Sequence, residues 1–369
     1  MITQAMGAPG ILPLPEEDFP RELWQRMGET GLLGVACGDH GDMPLLSLSL
    51  GGKIVAQTTR DMGLTLLWLI HGLASRLIVS LGTDPQRQRY LPRLKRGITT
   101  ACFAVSEPGT GPHPKHLKTN ATADGDHYIL NGEKTWVTNA PNADLFITIA
   151  ITDIHEGKKR YSAFIVPRET PGVTVSAPFD MPFFKTAPHG SIQLNQVRIP
   201  RENMLGAPDT AYEHIVIPFS NRENGMMMGP VTGGFEAQRH MILKAASKKD
   251  VLSQEFHTEI AKSDAMIHAA SMTAIQASLI TDTPDADREL LFKLIFFRDL
   301  GKEIHLQLKK LCDLADLTLD PAFERLATDL TCAGMLGEKN MTVKQIQLGK
   351  QLVETYMAET DSPTRQPLY

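Results

Sequence analysis

The central third of the chain has a different hydrophobic period from its two ends, and this limits the folds open to it. From Cys102 to Gly206 apolar and polar residues alternate at a period of two, and turn signals such as Asp124-Gly125 divide the stretch. This alternation predicts short strands, at residues 102–106, 127–130, 133–139, 145–151, 160–166, 172–176 and 191–198. Many short strands within about a hundred residues indicate a β-sandwich or an open barrel.

Helical patterns lie on both sides of this β region. Before it, apolar spacing and capping residues predict helices at residues 20–31, 45–59, 62–81 and 84–97. After it, helices are predicted at 222–247, 257–281 and 287–314 and from Pro321 onward, with Gly229-Pro230 breaking or kinking the first. Long helices with short connections are typical of an antiparallel bundle. The chain is therefore expected to be an α+β multidomain protein, with a helical domain at 1–100, a β domain at 101–212 and a four-helix-bundle-like domain at 213–369.

Within the β region, Asn131-Gly132 is predicted to form a hairpin turn, because Asn and Gly tolerate the positive φ angles of that turn. On the strand that follows, alternation places Trp136 and Thr138 on one face and Val137 on the other. A large aromatic surface beside a hydroxyl suits a planar cofactor with hydrogen-bonding edges. An ordinary strand fits the same pattern, since Trp and Thr are common strand residues.

Composition and charge exclude several classes of function. With 42% hydrophobic and 21% charged residues, the chain is typical of soluble globular proteins. A net charge of −5 argues against a nucleic-acid or anionic-membrane surface. The four cysteines are scattered without a C-x-x-C pair, so neither a disulfide framework nor a metal site is expected. Scattered thiols and an N-terminus without a signal-peptide pattern favour the cytoplasm.

The strongest apolar run, residues 62–81, is interrupted by His71 and Arg76 and contains two glycines. A membrane-spanning helix needs about 20 predominantly apolar residues with few or no charges. The run therefore favours a buried core helix, and no membrane span is expected.

The residues FAVSEPGTG, followed by LNGEKTWVTNA and ADLFITIA, resemble the flavin-binding middle domain of acyl-CoA dehydrogenases. The resemblance continues on the N-terminal side in FPRELWQRMGETGLLGVACGDHGD and QRYLPRLKRG, and it is weaker on the C-terminal side. It implies that FAD is the cofactor and that Gly111 allows a close backbone approach to it. By the same resemblance Trp136 packs on the isoalloxazine ring, Thr138 reaches the N5 edge of the ring, and three residues of the preceding strand lie along the flavin, namely Phe103, Val105 and Ser106.

One loop departs from the family. The glycine is normally followed by Ser-Asp, whereas this chain has Gly111-Pro112-His113. Proline carries no backbone N–H and no hydroxyl, so the hydrogen bonds expected at this position are lost. Pro112 is therefore expected to change how substrate or cofactor is placed.

The resemblance leaves two candidates for the carboxylate that removes the α-proton. Counting back from the tail that begins at Val343 places Glu338 on the family's catalytic glutamate, whereas counting forward from Asp329 places Gly337 there. Glu338 is the leading candidate, although the adjacent Lys339 would lower its pKa. The second candidate, Glu223, fits only after a one-residue shift.

An arginine on an earlier helix supplies the second substrate contact that the resemblance implies. Arg222 matches the family's arginine near the thioester end of the substrate, and Asn221 stands where some members carry a glutamate. Arg222 is therefore expected to contact substrate.

Two motifs of the family's nucleotide site are missing. The glycine-rich G-G-x-G is replaced at residues 312–317 by CDLADL, and no R-x-x-F-G occurs between residues 244 and 256. Lys248 and Lys249 are the nearby basic residues. These losses are expected to weaken the grip on the FAD pyrophosphate, because charged hydrogen bonds contribute about 1.5–3 kcal/mol each.

The resemblance implies a flavoprotein that oxidises acyl-CoA or another acyl thioester to the 2,3-enoyl thioester. A glutamate would abstract the α-proton, and the β-hydride would pass to FAD. It also implies an electron-transfer partner protein and a homodimer or homotetramer. The missing motifs keep an alternative open, in which the chain retains the fold but is catalytically impaired. It would then be a binding or regulatory protein, or the partner of an active subunit.

Overall fold

The computed structural model describes residues 19–38, 43–281, 283, 286–335 and 338–360. Helices come first within these ranges. They are α1 (Arg21–Glu29), α2 (Leu32–Cys37), α3 (Pro44–Thr59), α4 (Met62–Leu81) and α5 (Asp84–Lys95).

Helix α4 lies at the centre of this helical region, and the prediction of a buried helix over residues 62–81 is confirmed. Asp61 begins the helix by accepting a hydrogen bond from the Leu64 N–H at 2.7 Å. In the part of the chain that the structure describes, α4 is the one helix long and apolar enough to cross a bilayer. Of its apolar 18-residue stretch, 78% is buried within the protein. Burial lowers the pKa of His71 to about 4, so this histidine is neutral in the core.

The β region forms one mixed sheet with the strand order β6-β7-β3-β2-β4-β5-β8, and β1 pairs in parallel with β4. Side chains from both halves of the sheet, Leu130 and Val197 on one and Phe146 and Phe164 on the other, share one buried cluster. The sheet therefore folds over itself in the manner of a sandwich or open barrel. Its strands are β1 (Ala101–Ala104), β2 (Asn120–Asp124), β3 (His127–Thr138), β4 (Leu145–His155), β5 (Lys158–Pro167), β6 (Val173–Val175), β7 (His189–Pro200) and β8 (Met204–Leu205).

The prediction of a hairpin turn at Asn131-Gly132 is wrong. Strand β3 passes through both residues without a turn, and the hairpin lies earlier, where Asp124 of β2 pairs with His127 across Gly125. Strand β2, with the sequence NATAD, is not predicted, because Thr122 is its one β-branched residue and it has no aromatic residue.

Asn131 and Gly132 form an irregularity in β3 instead. The register of β3 against β7 shifts between Leu130 and Gly132, and the Asn131 side-chain oxygen accepts a hydrogen bond from the Gln196 N–H at 2.9 Å. A Cβ on Gly132 would collide with Thr119. Glycine is therefore required here by the close approach of a neighbouring segment.

The second helical region begins with a π-helical turn, Tyr212–Val216. It continues as α6 (Ile217–Ala246), α7 (Gln254–Ile280), α8 (Ala286–Leu314), α9 (Pro321–Met335) and α10 (Glu338–Thr360). The order of helices, strands and helices confirms the predicted fold class, while the domain boundaries at residues 100 and 212 stay a prediction.

Helix α6 does not end at Gly229-Pro230. Proline removes the N–H that would bond the carbonyl four residues earlier, which is that of Met226. The Ser49 hydroxyl of α3 donates a hydrogen bond to this carbonyl at 3.2 Å, and α3 approaches so closely that a Cβ on Gly229 would collide with Ser49. The hydroxyl of Ser49 on α3 thus pairs with the carbonyl that Pro230 leaves without its usual donor, and α6 continues.

Candidate functional site

A cavity of about 1080 Å³ lies between the sheet and helices α6, α8, α9 and α10. Pockets that enclose small-molecule ligands usually have volumes of about 300–1,000 Å³. Seven of the predicted site residues line it, six from the sheet and its loop and one from α6. They are Phe103, Val105, Ser106, Pro112, Trp136, Thr138 and Glu223.

Trp136 presents its indole ring to this cavity. The register of β3 against β7 shifts between Lys134 and Val137, and Trp136 has a φ of 56°. A positive φ is rare for a bulky residue and is found where the surrounding structure imposes it. Trp136 is 62% exposed as a residue, and its ring contacts Phe179 edge-on, with the centroids 5.0 Å apart. A large apolar face is thus held open for a flat ligand.

Thr138 and His189 meet on the same wall. The Thr138 Oγ1 lies 2.9 Å from the His189 Nε2, and the His189 Nδ1 lies 2.9 Å from the carbonyl oxygen of Ala187. Burial lowers the pKa of His189, so the imidazole is neutral near pH 7. The sequence contained no signal for this pair, because the two residues are 51 positions apart.

A buried ion pair supports the wall from behind. The Lys134 Nζ donates to the Glu107 carboxylate at 2.8 Å and to the Val105 carbonyl at 3.0 Å. The same carboxylate accepts hydrogen bonds from the N–H groups of Lys118 and Thr119. Burial lowers the pKa of Lys134 to about 8, against the opposing effect of Glu107. Sequence reasoning missed this pair, although a lysine inside a strand of buried residues is a signal of one.

Of the two predicted residues in the loop after Glu107, Pro112 lines the cavity and Gly111 does not, among the residues that the structure describes. Pro112 lines the cavity, and its carbonyl accepts a hydrogen bond from the Tyr212 hydroxyl at 3.2 Å. Gly111 has a φ of 60° and open space where a Cβ would stand, and it is not among the described residues of the cavity wall. The effect of Pro112, which has neither a hydroxyl nor an N–H, on the placement of substrate or cofactor stays a prediction.

Helix α6 brings Glu223 into the cavity, on the helix face that also carries Phe219 and Met227. These residues are four apart, so they lie above one another on the helix. Phe219 stacks on Phe103 of the sheet at 4.1 Å, which fixes this face against the wall. Burial among such neighbours raises the pKa of Glu223 to about 7.

Arg222 points elsewhere, because adjacent helical residues differ in direction by about 100°. It lines a separate surface cleft together with Glu213, Asp287 and Glu289, and it is not among the described residues of the main cavity. Its substrate-binding role stays a prediction.

Glu338 is the first residue of helix α10, and its side chain lies outside the described part of the structure. The start of that helix borders the cavity through Met341, Val343 and Lys344. Gly337, the alternative position for the base, lies outside the described residues. Within the described ranges, no group of three or more His, Cys, Asp or Glu side chains is arranged to hold a metal.

The open indole face, the backbone of β1 and a carboxyl of raised pKa surround one cavity. Such an arrangement has room for a planar ligand beside a group whose pKa suits proton transfer. Two family descriptions match the chain, acyl-CoA dehydrogenase N-terminal domain over residues 7–98 and acyl-CoA dehydrogenase middle domain over residues 102–197. The chain belongs to the acyl-CoA dehydrogenase family, and the resemblance stated above is confirmed.

Curated relatives and solved structures agree with that assignment. Over 205 residues the chain is 34% identical to "Probable acyl-CoA dehydrogenase YngJ" of Bacillus subtilis (strain 168), a match that covers 54% of this chain and 53% of the relative. The chain thus matches about half the length of such relatives. Butyryl-CoA dehydrogenase from Megasphaera elsdenii superposes with a TM-score of 0.78 at 22% identity over 90% of each chain. The FAD complex of PigA superposes with a TM-score of 0.75 at 21% identity, over 89% of this chain and 90% of PigA. At such identities these structures show the fold alone.

Proposed function

We propose that the protein is an FAD-dependent acyl-CoA dehydrogenase, which oxidises acyl-CoA or another acyl thioester to the 2,3-enoyl thioester. The observation that carries the proposal is the shared cavity of Trp136 and Glu223, an open aromatic face on one wall and a carboxyl of pKa about 7 on the other. A substrate placed between them would lose its α-proton to the carboxylate and its β-hydride to the cofactor.

The cavity fits a flavin. The exposed face of Trp136 would stack on a planar ring, an arrangement that aromatic systems favour. Thr138 would supply a hydroxyl at the ring edge, and Val105 and Ser106, which line the same cavity, would lie beside the ring. When bound, FAD would supply the acceptor for two electrons and one proton, while these residues hold and orient the ring.

Glu223 is our candidate for the base. An efficient general base has a pKa near the working pH, and the pKa of about 7 meets that condition. Phe219 and Met227 place apolar surface beside it on the cavity wall, and a carboxylate in such surroundings interacts more strongly with other charges than one in water. Glu338 remains the second candidate, since it begins the helix whose first turns border the cavity.

Self-association is part of the proposal. Exposed apolar side chains outside the cavity lining lie on α8 and α10, at Phe296, Ile346 and Val353. Such surface supports a homodimer or homotetramer, because contiguous exposed apolar patches commonly mark interfaces. The proposal also includes an electron-transfer partner protein that reoxidises the flavin, and a cytoplasmic location.

A second candidate function is a catalytically impaired member of the family that binds ligand without turnover. Residues 312–317 contain no glycine, and Asp316 occupies the left-handed region with a φ of 47°. The Lys249 Nζ donates to the Asp316 carbonyl at 2.8 Å. One of the two lysines near the expected pyrophosphate position is therefore engaged with this segment.

The visible spectrum of the purified protein, with and without added FAD, separates the two functions. The dehydrogenase is expected to bind FAD and to lose its flavin absorbance on anaerobic addition of an acyl-CoA. A protein that takes up no FAD would overturn the dehydrogenase proposal. A protein that binds FAD but is not bleached by acyl-CoA esters of short, medium or branched chains would support the impaired form.

A further inference from the structure

The hydrogen bonds of His189 have a direction that the structure determines. Its Nδ1 lies 2.9 Å from the carbonyl oxygen of Ala187, and a carbonyl oxygen only accepts, so the Nδ1 carries the proton. Because burial keeps the imidazole neutral, the Nε2 is then an unprotonated acceptor. The Thr138 hydroxyl, 2.9 Å from the Nε2, must be the donor.

The backbone holds the pair in place. Thr138 and His189 are directly opposite each other in the antiparallel pairing of β3 and β7. Opposite residues in such a pair have their side chains about 5 Å apart at Cβ. Beyond them, the Asn139 N–H donates to the Pro188 carbonyl at 2.7 Å and keeps the two strands together. Both side chains face the cavity.

We propose that His189 is a positioning residue that draws the Thr138 hydroxyl proton away from the cavity, so that Thr138 presents only acceptor lone pairs to the bound ligand. The inference rests on the proposed function, in which Thr138 faces the N5 edge of the flavin. The partner that this arrangement selects is an N–H donor, and oxidised flavin has none at N5 whereas reduced flavin has one.

The consequence follows from counting donors and acceptors. Opposite oxidised flavin, the single Thr138 proton would serve either N5 or the His189 Nε2, and one of these two acceptors would stay unpaired. Opposite reduced flavin, an N5–H would donate to Thr138, which in turn donates to His189, which donates to Ala187. A fully paired chain of hydrogen bonds is favoured over an incomplete one. The pair therefore makes the site prefer the reduced cofactor.

The measurable effect is a shift in midpoint potential. A net contribution of one neutral hydrogen bond corresponds to about a tenfold change in the ratio of the two dissociation constants. For a two-electron couple, tenfold is about 30 mV. We expect His189→Leu with FAD bound to have a midpoint potential lower than that of the parent by about this amount.

A double-mutant cycle separates this role from a structural one. Thr138→Val keeps the shape of the side chain but removes the hydroxyl, and its potential should fall as that of His189→Leu does. The double variant should fall no further than either single variant, because both break the same chain. His155→Leu, at the exposed end of β4, is the matched control and should keep the parent potential.

Histidine-labelled ¹⁵N NMR of the parent protein without cofactor provides an independent readout. His189 should show a protonated Nδ1 and an unprotonated Nε2, with its signals assigned by their loss in His189→Leu. A protonated Nε2 at neutral pH would overturn the inference. Equal potentials of FAD-bound parent and His189→Leu would overturn it while the proposed function stands, whereas failure to bind FAD would overturn both.

Discussion

The two walls of the cavity are held in different ways. The sheet wall rests on backbone pairing and on the buried ion pair between Lys134 and Glu107. The helix wall rests on side-chain packing, with Glu223 held between the Phe219 contact and the α6 segment that Ser49 supports. Backbone pairing orients its residues through local geometry, while the helix wall depends on contacts between distant segments. The sheet wall should therefore govern cofactor binding, and the helix wall should govern proton transfer.

The largest effect that we expect comes from the helix wall. Glu223→Gln should reduce the rate of flavin bleaching by acyl-CoA by about 10²–10⁴-fold with FAD binding unchanged, because general-base catalysis contributes about that much. In the parent, kcat/KM should rise with pH through about 7, as Glu223 loses its proton. Stopped-flow bleaching and a pH profile measure both.

Glu213→Gln is the matched control for that experiment. Glu213 is exposed and lines the separate cleft with Arg222, so its loss should leave the bleaching rate unchanged. Undiminished bleaching in Glu223→Gln, together with loss of bleaching in Glu338→Gln, would transfer the role of base to Glu338.

Removing the Lys134–Glu107 ion pair behind the sheet wall should lower the free energy of unfolding. Lys134→Met leaves the Glu107 carboxylate buried without its charge partner, and breaking a buried pair in this way costs about 3–5 kcal/mol. Chemical denaturation measures the free energy of unfolding. Lys302→Met breaks the exposed pair with Asp299 and should cost about 0–1 kcal/mol. Equal losses in the two variants would contradict the assignment of a supporting role to Lys134.

The hydrogen bond from Ser49 that supports the helix wall should contribute less to stability than the Lys134–Glu107 ion pair. Ser49→Ala removes the hydroxyl that pairs with the Met226 carbonyl and leaves a buried acceptor unpaired, at a cost of about 1–3 kcal/mol. If this contact positions Glu223, the bleaching rate should fall as well, with FAD affinity unchanged. Ser247→Ala, at the exposed end of α6, is the control and should affect neither. A loss of FAD affinity without a loss of rate in Ser49→Ala would contradict the division between the two walls.

A further effect is a pH dependence where the start of α4, the loop before β7 and helix α9 meet. Asp329 of α9 accepts a hydrogen bond from the Phe184 N–H at 2.8 Å, and Asp61 at the start of α4 lies near it. Burial, and next the like charge of Asp61, raise the pKa of Asp329 from 3.8 to about 6. The stability that protonated Asp329 contributes is therefore fully present below pH 4 and is lost as the pH rises to 6.

Asp329→Asn should flatten the decline in stability between pH 4 and 6. Glu223 contributes a second decline that extends to about pH 7, since its pKa is also raised. Comparing Asp329→Asn with the parent in a Glu223→Gln background isolates the Asp329 contribution. Denaturation midpoints across this range measure it, and equal slopes with and without Asp329→Asn would show that folding does not raise the pKa of this carboxyl.

Much of the fold followed from local signals. The apolar run at residues 62–81 predicted α4 with its observed bounds, and Asp84-Pro85 predicted the start of α5. Local signals failed where a distant partner changed their meaning. Asn131-Gly132 has the composition of a hairpin turn, yet it forms a bulge because β3 pairs with β7 on one side and Thr119 presses on Gly132.

The sequence by itself determined the family, the order of helices and strands, and the residues Trp136 and Thr138 that line one wall of the cavity. The tertiary structure decided that Glu223 rather than Arg222 enters the cavity, and that His189 sets the direction of the Thr138 hydroxyl. The physical reason is the distance along the chain over which each effect acts. Hydrophobic period and capping act over a few residues, whereas burial, pKa and hydrogen-bond direction depend on groups that only folding brings together.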